Sequence, residues 1–445
     1  LIVAIIGFLF DTYELLMFPV IGRDALSELM KVPATDPLVA TWTGRLLWIA
    51  ALAGGIFGLL GGWLIDRLGR KTIMVASILA YSLSPVAAAF STELWHLILF
   101  RCTTFVGVCV EMVAAVTWMA ELFEDKRTRE KAIAWSLAAA SLGGIFVTEV
   151  FIHIKGIAAD LPALPLPEGS NAHAAWRYTL LTGLIPGAAI LALLPFVPES
   201  RVWREKKRAG TLKRPSFAEL FAPGLLRTTV VTTVLSACGY AAAFGALQLT
   251  PPQIVQGVPA VAAKTADFDA QIKAAPGPEK KVIGEAKGKM MQGYIGDIQR
   301  WQEVGGLTGR ILLALLVLVF PSRVLLRIFL VPGIIMFPLT YLEVVKMDYA
   351  LFAAAIFFCG LLTVAQFSFL SELLPKLFPL HLRGTGGSFA TNVGGRMIGT
   401  MAATLNTGLI AGMFGGGPSG VATAAAIIGG SVYFIALIAS FFLPG

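Results

Sequence analysis

Long apolar runs separated by short polar breaks make up most of the chain. Twelve such runs follow one another, at roughly 1–21, 43–64, 72–90, 95–118, 132–152, 177–197, 227–249, 303–320, 325–344, 349–371, 385–410 and 420–443. A helix of about 20 apolar residues crosses the hydrocarbon core of a bilayer, so the pattern predicts twelve transmembrane helices. Gly, Pro and charged residues mark most breaks. Spans 8 and 9 are the least cleanly separated, with only Pro321-Ser322-Arg323 and Arg327 between them. The chain opens inside an apolar run with no initiator Met, which predicts a true N-terminus upstream.

Charge alternates along the breaks. The loops 65–71, 119–131, 198–227, 321–327 and 372–384 hold nineteen Lys and Arg; the opposite loops, leaving out the long 250–302, hold Arg23, Lys31, Lys155 and Lys346. Short basic loops stay in the cytoplasm. This predicts two cytoplasmic termini in the plasma (inner) membrane, with 250–302 on the other side. The halves also echo each other. Glu121-Leu122-Phe123 matches Glu372-Leu373-Leu374, and Ser141-Leu142-Gly143-Gly144 matches Asn392-Val393-Gly394-Gly395, both at an offset of 251 residues. The predicted fold is therefore an all-α membrane protein of two six-helix pseudo-repeats: 1–197, a basic cytoplasmic linker at 198–226, and 227–445 with an extracytoplasmic insertion at 250–302. Repeat-built transporters place their substrate between the repeats near mid-membrane. That favours a transporter over a receptor or a membrane-bound enzyme.

Composition agrees: 56% of the 445 residues are hydrophobic and 14% charged, with mean hydropathy +0.77. Soluble domains are nearer 45–50% and 25%. A soluble enzyme, a disordered chain and a nucleic-acid binder are thereby excluded, and the formal charge of +8 reads as loop topology. Cys102, Cys109, Cys238 and Cys359 lie in apolar runs without the spacing of a disulfide framework or zinc site. His96, His153, His173 and His381 are scattered. With no nucleotide-binding loop, metal cluster or nucleophile triad, neither a cofactor nor an enzymatic activity is expected.

Five motifs carry more specific information. Gly62-Trp-Leu-Ile-Asp66-Arg67-Leu-Gly69-Arg70-Lys71 joins spans 2 and 3. Its glycines permit a close turn, Asp66 is placed to accept from a helix N-terminus, and its arginines suit carboxylates on the adjoining loop, where Glu121, Arg127 and Arg129 lie. Arg101-Cys-Thr-Thr-Phe-Val-Gly107-Val-Cys-Val-Glu111 opens span 4. Pro198-Glu199-Ser200 follows span 6. Glu372-Leu-Leu-Pro375 precedes Leu382-Arg383-Gly384-Thr385-Gly386, and span 11 carries Asn392-Val-Gly394-Gly395-Arg396. The first resembles the G-x-x-x-D-R-x-G-R-R loop of the major facilitator superfamily. The others resemble elements of its sugar porters and metabolite:proton symporters. The resemblance implies alternating access and a conformational latch from Gly62, Asp66, Arg67, Gly69, Arg70, Glu121 and Arg129, with Glu372 and Arg383 in the second half. The sugar-porter string Q-Q-x-S-G-x-N is replaced in span 7 by Ser236 to Gln248.

Charges within the spans are the candidate chemistry, since one at the bilayer centre costs about 2.5–3.5 kcal/mol on insertion scales. Span 1 holds Asp11 and Glu14, spaced i,i+3 on one face; span 4 holds Arg101 and Glu111, span 8 Arg310 and span 11 Arg396. Phe8-Leu-Phe-Asp11-Thr12 resembles the symporters' F-x-x-D-T, whose Asp sits beside the Arg opening span 4. That implies an Asp11–Arg101 proton-coupling pair, with Glu14 as the other titrating candidate. Arg396 suits a carboxylate or phosphate by its guanidinium fork. Glu111 and the neutral groups Asn392, Gln248 and Gln366 complete the candidate substrate set. In the insertion, Ala260–Ala275 and Glu279–Trp301 are predicted to form polar-faced helices acting as a lid, a spacer or a dock for a protein partner. The leading expectation is a proton-coupled transporter of a small polar metabolite, an organic anion ahead of a sugar. Its partners are that substrate, protons and the lipid bilayer, not nucleic acid. The rivals are an uncoupled facilitator or exchanger and a transporter-like structural subunit.

The topology is testable by labelling from outside with a membrane-impermeant thiol reagent. Cysteine introduced at Ala274 is expected to react and cysteine at Ser216 to stay protected; the reverse pattern overturns the orientation.

Overall fold

A computed structural model of the chain describes residues 2–122, 126–193, 199–200, 204–205, 208–209, 217–316, 319–379 and 382–444. Among these, helices follow the predicted order. Spans 1 to 5 are Ile2–Met30, Pro37–Leu68, Arg70–Ala89, Leu94–Leu122 and Lys126–Ile157. Span 6 comes in two pieces, Ala175–Leu181 and Leu184–Leu193. Span 7 is Pro223–Gly245, span 8 the later part of Gly277–Leu316, span 9 Ser322–Pro338, span 10 Tyr349–Lys376 and span 12 Gly417–Phe441. Span 11 starts at Arg383–Phe389 and loosens into π-helix over Ala390–Gly399. Among the described residues, eight helices are by themselves long and apolar enough to cross a membrane. Span 6 is broken, span 11 is loosened, and span 8 carries Arg300, Glu303 and Arg310.

Local chemistry sets several ends. Asp36 caps span 2, its carboxylate accepting from the Leu38 N–H at 2.8 Å, with Pro37 at the first helical position. Gly69 takes a φ of 102°, which a side chain would oppose, and so turns span 2 into span 3. The insertion folds as Pro259–Ala274 followed by Gly277–Leu316. The second helix is continuous with span 8 and does not stop at Trp301. At 1.5 Å per residue its 40 residues reach about 60 Å, so its first half stands outside the hydrocarbon core.

The pseudo-repeat is visible in the packing. Span 1 packs on span 5 as span 7 does on span 11, and span 2 packs on span 4 as span 8 does on span 10. Between the halves, span 5 meets span 8 and span 2 meets span 11. The matched glycines explain the closeness. A Cβ at Gly143 would run into the Leu9 carbonyl of span 1; one at Gly394 would run into the Thr233 carbonyl of span 7.

On the face that carries the insertion the halves are held together. Gln253 donates to Thr43 at 3.2 Å and Arg23 to Gln256 at 3.2 Å, while deeper in the bundle Trp48 donates to the Met397 carbonyl at 2.9 Å. Arg300 grips both carboxylate oxygens of Glu149, at 2.6 and 2.9 Å. Within the first half, fully buried Arg177 donates to the carbonyls of Ala89 and Ser91 and to Glu28. These contacts close the centre of the bundle toward the insertion face.

Leucine at Gly143 or Gly394 is expected to lower stability by about 1–3 kcal/mol through overpacking. Gly156→Ala, where nothing lies within 4 Å, is expected to be neutral or stabilising. Thermal unfolding midpoints in detergent decide, and equal tolerance at all three sites would remove close helix approach as the role of the paired glycines.

Candidate functional site

A central cavity of about 210 Å³ lies between the halves. Asp11, Arg396 and Gln248 line it, with Tyr240 and, from span 8, Gln302, Glu303 and Arg310. Asn392, Gln366 and Glu111 are buried but stand behind the wall. Asn392 accepts from Arg396 at 2.6 Å and donates to Ser388 at 3.0 Å. Gln366 packs toward Gly239 of span 7, and Glu111 places a carboxylate oxygen against Gly7 of span 1. Side-chain polarity in a span showed that these residues avoid lipid, without showing which inner surface they face.

The expected Asp11–Arg101 pair is not formed. Arg101 donates to the main-chain carbonyls of Glu14 and Leu15, both at 2.8 Å, and packs its guanidinium over Phe105 and Phe18. The reason lies in span 1. Pro19 sits inside that helix and has no N–H, so the Leu15 carbonyl four residues earlier lacks its usual partner. Arg101 supplies it. Span 4 is thus registered about one turn beyond Asp11, out of reach of its carboxylate.

Asp11 and Glu14 also part company. Three residues advance a helix by about 300°, which leaves about 60° between them. Asp11 points into the cavity, whereas Glu14, fully buried, turns toward Gly183 at the break in span 6. Neither carboxylate accepts from a donor group among the described residues; the Asp11 carboxyl instead meets that of Glu111. Asp11 lies within electrostatic reach of Glu111 and of Arg396 from the opposite half. Arg396 itself crosses between the halves, with one N–H on the Met112 sulfur at 3.5 Å.

Glu303 went unrecognised in the sequence because it sits where the polar insertion meets the apolar run. The available signal was a helical stripe, Gln299, Glu303, Gly306 and Arg310, that crosses the predicted boundary. Glu199 was likewise quoted only as part of a motif. Its carboxylate accepts from the backbone N–H groups of Arg70 at 3.1 Å and Lys71 at 3.2 Å, capping span 3. Arg70 is buried and donates to the Ile65 carbonyl at 3.2 Å. The side chains of Asp66, Arg67, Glu121, Arg129, Glu372 and Arg383, and the surroundings of Gly62, lie outside the described residues.

A family model described as Major Facilitator Superfamily matches residues 3–268. The chain is 24% identical over 421 residues to the sialic acid transporter NanX of Escherichia coli (strain K12), covering 94% of this chain and 88% of that protein. It is 30% identical over 167 residues to the 4-hydroxybenzoate transporter PcaK of Pseudomonas aeruginosa, covering 36% and 33%. The crystal structure of a D-xylose-proton symporter superposes with a TM-score of 0.67 at 17% identity, covering 100% of this chain and 97% of that one.

The repair of Pro19 by Arg101 is open to a double-mutant cycle. Arg101→Met is expected to destabilise the protein strongly. In a Pro19→Ala background, where an N–H returns to the Leu15 carbonyl, the same change is expected to cost about 1–2 kcal/mol less. Additive effects on the unfolding midpoint would detach the two residues.

Proposed function

The chain belongs to the Major Facilitator Superfamily, and from that premise we propose that it carries a small organic anion together with a proton through its central cavity. The chain is a multi-pass membrane transporter of small metabolites or sugars and not an enzyme. One observation carries the finer reading: Asp11, which no donor among the described residues meets and whose carboxyl neighbours that of Glu111, lines the same cavity as Arg396 of the opposite half.

The charges lining the cavity support it. Among the described lining residues, two acids, Asp11 and Glu303, stand against two bases, Arg310 and Arg396. An entering carboxylate bound to Arg396 adds a negative charge in a poorly solvated site, where uncompensated charge is costly. A proton taken up by Asp11 restores the balance. Two relatives are named for acids, sialic acid and 4-hydroxybenzoate, which supports an anion over a neutral sugar.

Rocking of the halves changes the distance from Arg396 to Asp11, and with it the stability of the Asp11 charge. That is how proton release and substrate release become linked. Arg101 supports this indirectly, by fixing the register of span 1, and Glu14 is the alternate proton carrier. The loop from Gly62 to Arg70, with Glu121, Arg129, Glu372 and Arg383, latches the face opposite the insertion. In this reading that face is cytoplasmic, as are both termini.

The test is uptake of labelled organic acids by proteoliposomes with and without an inward proton gradient. Accumulation is expected only with acid outside. Asp11→Asn is expected to lose gradient-driven accumulation and keep counterflow exchange, because the amide imitates the protonated acid. Wild-type accumulation by Asp11→Asn would move the proton site to Glu14. Uptake indifferent to pH in the native chain would make it a facilitator.

A further inference from the structure

The span 8 wall of the cavity has a chemistry that proton coupling and anion binding leave unused. Glu303, 7% exposed, accepts on one carboxylate oxygen from the side-chain amides of Gln299 at 2.7 Å and Gln302 at 3.3 Å. A carboxylate only accepts, so both amides must present their nitrogens to it; flipping either would set oxygen against oxygen. Their carbonyl oxygens are consequently directed elsewhere, and both are buried without a partner among the described residues. The carbonyl oxygen of Gln248, on the neighbouring wall from span 7, is in the same condition. Gln302, Glu303 and Gln248 line the cavity, so this side of it carries two amide oxygens that no described residue satisfies, beside the Glu303 carboxylate. A buried acceptor left unmet keeps its full desolvation penalty, and a ligand supplying donors recovers it.

We propose that Glu303, Gln302 and Gln248 read hydroxyl groups, and that the transported anion is a hydroxylated acid with its carboxylate toward Arg396. The inference rests on the reading of this cavity as the substrate site. Hydroxyls fit better than an ammonium group because the acceptors come from two different spans and include neutral amides. They call for several donors spaced along a ligand, not one compact cation. The sugar-porter amide string missing from span 7 is thereby replaced by side chains of spans 7 and 8.

The test is titration calorimetry on the full chain in lipid nanodiscs, with acids matched for shape. Quinate is compared with cyclohexanecarboxylate, gluconate with hexanoate, and glucuronate with tetrahydropyran-2-carboxylate. At least one hydroxylated acid is expected to bind about tenfold or more tighter than its deoxy partner, the scale of one hydrogen bond to a charged group. Gln302→Leu and Glu303→Gln are expected to collapse that ratio toward one, acting mainly on the hydroxylated member. Because Glu303 packs against Gly144 of span 5, Gln248→Leu provides an independent arm should Glu303→Gln fail to fold. Equal affinities within every pair, or no binding by any hydroxylated acid, overturns the proposal. Arg396→Lys separates the two levels. If it weakens both members of a pair whose ratio is already one, the cavity is still the anion site and the hydroxyl wall is wrong. If it leaves all affinities unchanged, the reading of the cavity itself fails.

Discussion

A proline inside a membrane helix leaves a carbonyl with no water to turn to, and the arrangement of the first half follows from how Pro19 is accommodated. The Leu15 carbonyl is taken by Arg101 at 2.8 Å, a side chain of another span. The bond is charge-assisted and sits where hydrocarbon offers no competing partner. It fixes span 4 against span 1 in one register, and that register decides what each acid of span 1 meets. Asp11 is left facing the cavity and Glu14 the break in span 6. With two of its donors on main-chain carbonyls, the guanidinium most able to pair with Asp11 is structural. The positive charge within electrostatic reach of Asp11 is then Arg396, and it belongs to the other half.

A cationic partner on the opposite half makes the environment of Asp11 depend on how the halves sit. Their contact on the insertion face is built from terms that can be broken. The Glu149–Arg300 pair is close to half exposed at both ends, and exposed pairs are worth at most about 1 kcal/mol. Beside it lie single hydrogen bonds such as Gln253 to Thr43, close helix approach at small residues, and apolar packing in which Val147 and Phe151 of span 5 share one buried cluster with Ile295 and Ile298. Rigid-body rocking across a seam of weak, separable contacts is one of the established forms of switching.

How much of this the residues revealed beforehand depends on what a one-dimensional pattern contains. Twelve apolar runs and the 251-residue echo predicted the helix order, because span length and repeat spacing are themselves linear quantities. Register between spans is not linear. The F-x-x-D-T resemblance brought Asp11 and Arg101 to one region, yet an offset of about one turn, set by Pro19, decides whether they touch. Asn392, Gln366 and Glu111, expected among the substrate-binding residues, are buried but do not line the cavity, because an interior helix has several inward faces and only one borders it. Glu303 was hidden by a boundary. The stripe of Gln299, Glu303 and Arg310 belongs to a helix that begins in the insertion, and dividing the chain at residue 303 split it.

The repeat also shows where the two halves have diverged. Gly143 and Gly394 do the same work, each letting the fifth helix of its half lie against the first. Their neighbours do not. A Cβ at Gly395 would meet Tyr240 of its own half, whereas one at Gly144 would meet the Glu303 carboxylate of the opposite half. The symmetric position in the first half therefore admits a polar group of span 8 into the seam, beside the cavity. Asp11, facing the cavity, belongs to span 1, while the amide–carboxylate wall and Arg396 belong to spans 7, 8 and 11. On the reading proposed for this cavity, the two halves thereby bring different chemistry to one site, and rocking between them separates Asp11 from Arg396.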